Sequence, residues 1–216
     1  MDDPSPLIPI STLSDLMKYY NKHGKACFAH LIPKCASTSI RFHLGQSNEM
    51  NSYRRRPKKK GDPVLIKKYF NNSKKPFTFT FVRNPWERIL SCWNNKVVQR
   101  KKGWQGRKRY QHFQRFEDFI CKGLAYHNVF RGDGHMKLQV KILPPLNQLD
   151  FIGKVENFEE DFNYVLSELG LPLVHDLQEN KTNHKHYTEY YSKKTRKIVA
   201  AKYAKDIQAF GYKFGK

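Results

Sequence analysis

Acidic residues are scarce in this chain: 19 Asp and Glu stand against 40 Lys and Arg among 216 residues, a formal net charge of +21. An excess of that size calls for an acidic partner, whether nucleic acid, anionic polysaccharide, anionic cosubstrate or membrane surface, and charge alone does not choose among them. Cysteine is scarce too. Cys27, Cys35, Cys92 and Cys121 show no paired metal-ligand spacing, and four in a chain this long do not make a disulfide scaffold, so reduced thiols are expected. No apolar run approaches the length of a membrane span. The acidic start Met1-Asp2-Asp3-Pro4 and the short run Leu7 to Ile10, which contains Pro9, do not make a signal peptide. Glycine is missing between Lys25 and Gly45, which removes the Gly-x-x-x-x-Gly-Lys-Ser/Thr pattern of a triphosphate loop from that stretch.

What occupies that stretch organises the rest of the chain. Cys27 to Leu31 reads as a buried strand, and Ile40 and Leu44 lie one helical turn apart with Gly45 placed to stop the helix. Between them, Ile32-Pro33-Lys34-Cys35-Ala36-Ser37-Thr38-Ser39 is a strand-to-helix loop with one lysine and three hydroxyls. The first N–H groups of such a helix lack intrahelical partners and point at whatever binds there, so the loop can cradle a phosphate or sulfate. The plainer alternative is a helix capped by Ser37 or Thr38 beside a surface lysine.

The remaining pattern is read from periodicity and punctuation. Thr12 to Tyr20 has a helical spacing of apolar residues, after a loose arm over 1–11. Phe77 to Val82 is a strand. It is followed by Arg83-Asn84-Pro85-Trp86-Glu87, where Asn84 suits an N-cap, Pro85 the first helical position and Glu87 the third position of a capping box. Trp86, Ile89, Leu90, Trp93 and Val97 make the apolar face of that helix, which is expected to pack on the sheet. Phe116, Phe119 and Ile120 suggest a helix ending near Gly123. Asp150 to Val155 is a third strand, leading to a helix capped by Asn157 and Glu160 and ended by Gly170 and Pro172. Ser192 caps a last helix with Val199, Tyr203, Ile207 and Phe210 inward and Gly211 at its end. Val64 to Phe70 is a short helix, and no internal repeat is present.

Strand–loop–helix, strand–helix, strand–helix predicts an α/β fold: one three-layer domain over 1–216 with a mainly parallel central sheet flanked by helices. In such sheets ligands bind beyond the carboxyl ends of the strands, so Arg83 is expected to meet the same ligand as Lys34. An ion pair with Glu87 is the simpler alternative for Arg83. The basic runs Arg54 to Lys60 and Arg100 to Arg109 are solvated loops or contacts with an acidic substrate. His184 and His186 lack matching carboxylates or cysteines, so no metal site is expected.

Two segments together resemble one family. Pro33-Lys34-Cys35-Ala36-Ser37-Thr38-Ser39 resembles the 5′-phosphosulfate loop of sulfotransferases, and Phe81-Val82-Arg83-Asn84-Pro85-Trp86-Glu87-Arg88-Ile89-Leu90-Ser91 resembles their 3′-phosphate segment. Phe151 to Phe162 is similar to the strand–helix that follows in membrane-type carbohydrate sulfotransferases and their bacterial relatives, and the Tyr190 to Tyr212 region fits the same group. The resemblance implies a P-loop-kinase-like fold and the donor 3′-phosphoadenosine-5′-phosphosulfate (PAPS), with adenosine 3′,5′-bisphosphate (PAP) as product. It also implies roles: Lys34 near the bridging oxygen, Ser37, Thr38 and Ser39 around the 5′-phosphate, and Arg83 and Ser91 on the 3′-phosphate. Lys185, beside Asn180-Lys181-Thr182, falls in a loop that closes over the nucleotide. His135, in Gly134-His135-Met136-Lys137-Leu138-Gln139, resembles the family's His-x-x-x-Gln turn and is the candidate base.

The expected reaction is PAPS-dependent O-sulfation of a hydroxyl on a carbohydrate or other acceptor, an anionic one given the basic runs, with no nucleic acid partner. A kinase or NTPase of the same fold and a basic nucleic-acid-binding module are the alternatives; the first needs a glycine-rich loop, and the second leaves the Lys34 and Arg83 segments unexplained. A bacterial or viral source would put the enzyme in the cytoplasm, and a eukaryotic one cut from its anchor in the Golgi lumen.

Overall fold

The computed structural model describes residues 16–20, 26–45, 76–99, 110, 112–125, 133–175 and 185–216. The expectations for 1–15, the run at 54–60, the helix at 64–70, the run at 100–109 and the loop at 180–184 lie outside these residues. The described residues fall into two compact units. One takes those within 1–32, 36–81 and 142–177; the other takes 33–35 and those within 82–141 and 178–216.

The first unit holds a sheet in the order β1 (Leu16–Tyr20), β2 (Ala26–His30), β3 (Phe77–Val82), β4 (Phe151–Lys154). β2 pairs in parallel with β3, Cys27 opposite Phe77 and His30 opposite Thr80. Strands β2 to β4 form a small parallel sheet flanked by helices. β1 is a correction to the helix expected over Thr12 to Tyr20: it runs antiparallel to β2, with Leu16 opposite His30 and Tyr20 opposite Ala26. A spacing that suits one helical face also suits a short edge strand, and pairing with β2 decides between them.

Helix α1 (Ser37–Gly45) follows β2, and Ile40 and Leu44 are buried as their spacing predicts. β3 delivers Phe79 and Phe81 to the core, where Phe81 meets Phe158 edge-on at 5.0 Å and Phe162 at 6.2 Å. Gly153 on β4 is required by this ring: a Cβ there would lie 2.5 Å from Phe81 Cε1. Helix α4 (Phe158–Glu168) does not use the expected cap. Asn157 makes no side-chain cap bond, and a 3₁₀ turn over Val155–Asn157 leads in; Asp161 instead accepts the N–H of Lys154 at 2.5 Å.

The second unit is helical around an aromatic core. Its elements are α2 (Pro85–Trp93), continued by a π-helical turn Asn94–Val98; α3 (Phe116–Asp118), continued by another over Phe119–Leu124; α5 (Lys193–Lys202); and α6 (Ala204–Phe210). Trp86, Ile89, Leu90 and Val97 share one buried cluster with Phe119, Ile120, Val199 and Tyr203. Ser192 caps α5 with a reciprocal box to Thr195. The single last helix expected is two, because Tyr203 (φ −106°, ψ 23°) breaks it while its buried hydroxyl donates to Met136 O at 3.0 Å. Gly211, φ 68°, ends α6 as expected.

Candidate functional site

The backbone after β2 turns through two unusual residues. Lys34 and Ala36 have φ of 71° and 52°, a left-handed conformation that costs a non-glycine residue of order 1–3 kcal/mol and collects at ligand-binding turns. Alternating left- and right-handed residues aim successive N–H groups to one side, a concavity suited to anions. The first turn bond of α1 is Ile40 N to Ala36 O at 3.0 Å. Ala36 is therefore the cap residue, and Ser37, Thr38 and Ser39 occupy the first turn and not the cap. That turn carries no acidic side chain, so nothing of its own opposes an anion at the positive end of the helix dipole.

In the second unit Arg83, at the end of β3, reaches back to the same turn. Its Nη1 donates to Lys34 O at 3.4 Å and its Nη2 pairs with Glu87 at 2.8 Å. The ion pair with Glu87 is thus present and takes Glu87 from the expected capping box, while Asn84 caps α2 by accepting from Trp86 N at 3.1 Å. Arg83 Nε is buried without a partner among the described residues. Ser91 follows on α2, half-buried.

Two buried residues organise the turn, and neither was legible as a site residue in the sequence. Arg88 is fully buried. Its Nε donates to Pro33 O at 3.2 Å, its Nη1 to Lys137 O at 2.9 Å and its Nη2 to His135 O at 3.2 Å. Gln139, also fully buried, accepts from Arg83 N at 3.0 Å, donates to Arg83 O at 2.9 Å and accepts the Cys35 thiol at 3.2 Å. Asp206 on α6 holds Gln139 in turn, accepting the N–H groups of Gln139 and Val140 at 2.9 and 3.0 Å. Burial pushes the Asp206 carboxyl up, against these two bonds. Burial likewise pushes the Cys92 thiol up to about 12, so it stays protonated. The signal available beforehand was the presence of Arg88 and Gln139 inside the two motifs.

His135 sits in a 3₁₀ turn over Gly134–Met136, capped by Asp133. Asp133 Oδ1 accepts from His135 N at 3.0 Å and meets His135 Nδ1 at 2.8 Å, while Oδ2 accepts from the Tyr110 hydroxyl. Burial alone would raise the Asp133 carboxyl; the bonds from His135 and Tyr110 outweigh it and hold the group well below the usual carboxylate range. Lys185 is exposed, with its ammonium 3.7 Å from Glu189. His186 is exposed too, and Nδ1 meets the Thr188 hydroxyl at 2.7 Å. Among the described residues no cluster of His, Cys, Asp and Glu could hold a metal, no cysteine is in a disulfide, and no helix is long and apolar enough to cross a membrane.

So the second unit gathers Pro33, Lys34, Cys35, Arg83 and His135 into one hydrogen-bonded assembly, and α1 carries the three hydroxyls directly after it in sequence. A model of the sulfotransferase family matches residues 21–213. Carbohydrate sulfotransferase 14 of Danio rerio is 30% identical over 161 residues, 63% of this chain and 44% of that protein. The chain therefore spans less than half the length of this curated relative. No solved structure matches.

Proposed function

The chain belongs to the sulfotransferase family, and on that premise we propose that it transfers a sulfuryl group from PAPS to a carbohydrate hydroxyl, on an acceptor that already carries carboxylate or sulfate charge. A three-layer P-loop-kinase-like domain over 1–216 is the architecture this reading assumes, and the parallel β2–α1–β3 unit supports it. The residues present fit the donor. The positive φ values of Lys34 and Ala36, the acid-free first turn of α1 and the buried, unsatisfied Arg83 Nε each suit a ligand rich in anionic oxygens.

The roles are those that the family resemblance implies, and the charges present are consistent with them. Pro33, Cys35 and Ala36 shape the turn, and Ser37, Thr38 and Ser39 donate to the 5′-phosphate. Arg83 and Ser91 hold the 3′-phosphate, and Lys185 covers the nucleotide. Lys34 offsets the charge that grows on the leaving phosphate oxygen, as preorganised cations do in phosphoryl transfer. His135 takes the proton of the acceptor hydroxyl. PAPS offers no β,γ-phosphate pair for Mg²⁺ to bridge, so these cations do the work a metal does for a triphosphate.

The observation that carries this reading is Arg88, whose one buried guanidinium holds the carbonyls of Pro33, His135 and Lys137. It joins the candidate phosphosulfate turn to the candidate base. The test is thermal stabilisation by PAP against ATP with Mg²⁺, followed by labelled PAPS with unsulfated chondroitin, heparosan and neutral poly-N-acetyllactosamine. Stabilisation by PAP and label transfer to the two uronate-bearing chains are expected. Stabilisation by ATP with Mg²⁺ alone would favour a kinase, and preference for the neutral chain at all ionic strengths would remove the anionic acceptor.

A further inference from the structure

We propose that Asp133 is a positioning residue for His135: it fixes the imidazole tautomer that leaves Nε2 unprotonated and able to accept the hydroxyl proton. The inference rests on the reading of His135 as the base.

The geometry begins with a cap. Asp133 precedes the 3₁₀ turn, and its Oδ1 accepts the N–H of His135 at 3.0 Å. A serine or asparagine would cap as well. Asp133 does more, because the same oxygen lies 2.8 Å from Nδ1 of the ring it caps, and its other oxygen is tied to the Tyr110 hydroxyl. The carboxylate is buried, with only 1% of its side chain exposed against 24% for His135. It is thus held in place, while part of the imidazole side chain stays exposed.

An ionised carboxylate only accepts hydrogen bonds. Nδ1 facing it must therefore carry the hydrogen, and the lone pair of the neutral ring then lies on Nε2. Arg88 fixes the ring's backbone, since it holds His135 O together with Pro33 O. The backbone at His135 therefore cannot move away from Pro33 without breaking a charge-assisted bond to Arg88.

In the transfer step the acceptor oxygen bonds to sulfur as the bond from sulfur to the phosphate oxygen breaks, and that electron pair stays on the phosphate. The acceptor proton passes to Nε2. The imidazolium so formed stands against the Asp133 carboxylate, which remains ionised, and later returns its proton to water. A buried carboxylate that orients an imidazole and steadies its cation is a recurrent arrangement in acyl transfer; here the Tyr110 hydroxyl anchors the carboxylate.

Two measurements test this. The first reads the tautomer directly from imidazole ¹⁵N spectra of the intact protein at neutral pH, with the His135 signals assigned by their loss in His135→Gln. A pyrrole-type Nδ1 and a pyridine-type Nε2 are expected; the opposite tautomer overturns the proposal, and this needs no Asp133 variant to fold. The second compares turnover of Asp133→Asn, His135→Ala and the double variant, with saturating PAPS and whichever glycan of the panel above turns over fastest. Each single change should lower kcat roughly 10²-fold or more, leave PAP affinity within about threefold, and give a double variant no slower than His135→Ala. If His135→Ala keeps full kcat, the base reading itself fails. If His135→Ala loses kcat but Asp133→Asn does not, or if Asp133→Asn slows the His135→Ala enzyme further, the base reading stands and the role given to Asp133 fails.

Discussion

The side chain of Gln139 pairs with the backbone of Arg83 as a neighbouring strand would: Oε1 accepts Arg83 N at 3.0 Å, and Nε2 donates to Arg83 O at 2.9 Å. Turned over, the amide would set donor against donor and acceptor against acceptor, so the network fixes its orientation. The backbone of Arg83 is thereby held at both its N–H and its C=O. Gln139→Leu keeps the volume and removes both bonds. We expect a loss of about 1 kcal/mol for each half-buried backbone group left without its bond, read from the denaturant midpoint, together with weaker PAP binding by calorimetry.

Lys34 and Arg83 should separate chemistry from binding. Lys34→Ala should lower kcat by roughly 10²- to 10³-fold, the scale for removing a group aimed at charge that develops in the transition state, with PAP affinity changed far less. Arg83→Ala should weaken PAP about 10-fold or more, as loss of a charge-assisted contact does. Initial rates and PAP titrations check both, and equal effects on the two parameters in both variants would contradict the assigned roles.

Gly153→Ala should destabilise the sheet unit by about 1–3 kcal/mol. The new Cβ would sit 2.5 Å from Phe81 Cε1 and 2.8 Å from Cδ1 and Cζ, and Phe81 is hemmed by Phe151, Phe158 and Phe162. Phe81→Leu in the same chain should relieve part of the clash, so thermal melts of the single and double variants should be non-additive.

His30 predicts an acid-sensitive window. Burial alone pulls its imidazole from 6.5 down to about 4, and Nε2 has no partner among the described residues. The unfolded chain takes up the proton first. The His30 contribution is therefore complete above about pH 6.5, shrinks as pH falls and is lost by about pH 4, a change of roughly 3 kcal/mol. The urea midpoint of the protein should therefore fall relative to that of His30→Leu as the pH is lowered from 7 to 4. Asp133, held below the usual carboxylate range, loses its share only at still lower pH.

Strands β2, β3 and β4 and helices α1, α2 and α4 were legible because apolar period, Asn84-Pro85 and Gly170 mark them locally. β1 was not, since its spacing serves a helix equally well until β2 pairs with it. The break at Tyr203 was hidden for a similar reason: the spacing runs unbroken through it, and the hydroxyl partner lies on Met136, 67 residues away. The likeness of the two loops pointed to Lys34 and Arg83, and that of the His-x-x-x-Gln turn to His135. Arg88 and Gln139 stood within those motifs, yet their side-chain partners are 47 to 104 residues distant.

From its residues alone, the chain's net charge, the order of its main strands and helices and the lysine and hydroxyls of its turn at 33–39 were determined, because each depends on neighbours within a few positions. Only the folded chain decided which groups meet: that Arg83 touches the Lys34 turn, that Arg88 binds three carbonyls from two segments, and that Asp133 faces His135 Nδ1. Hydrogen bonds between distant segments need ångström-scale placement, and burial makes that placement rigid; neither is written in local pattern.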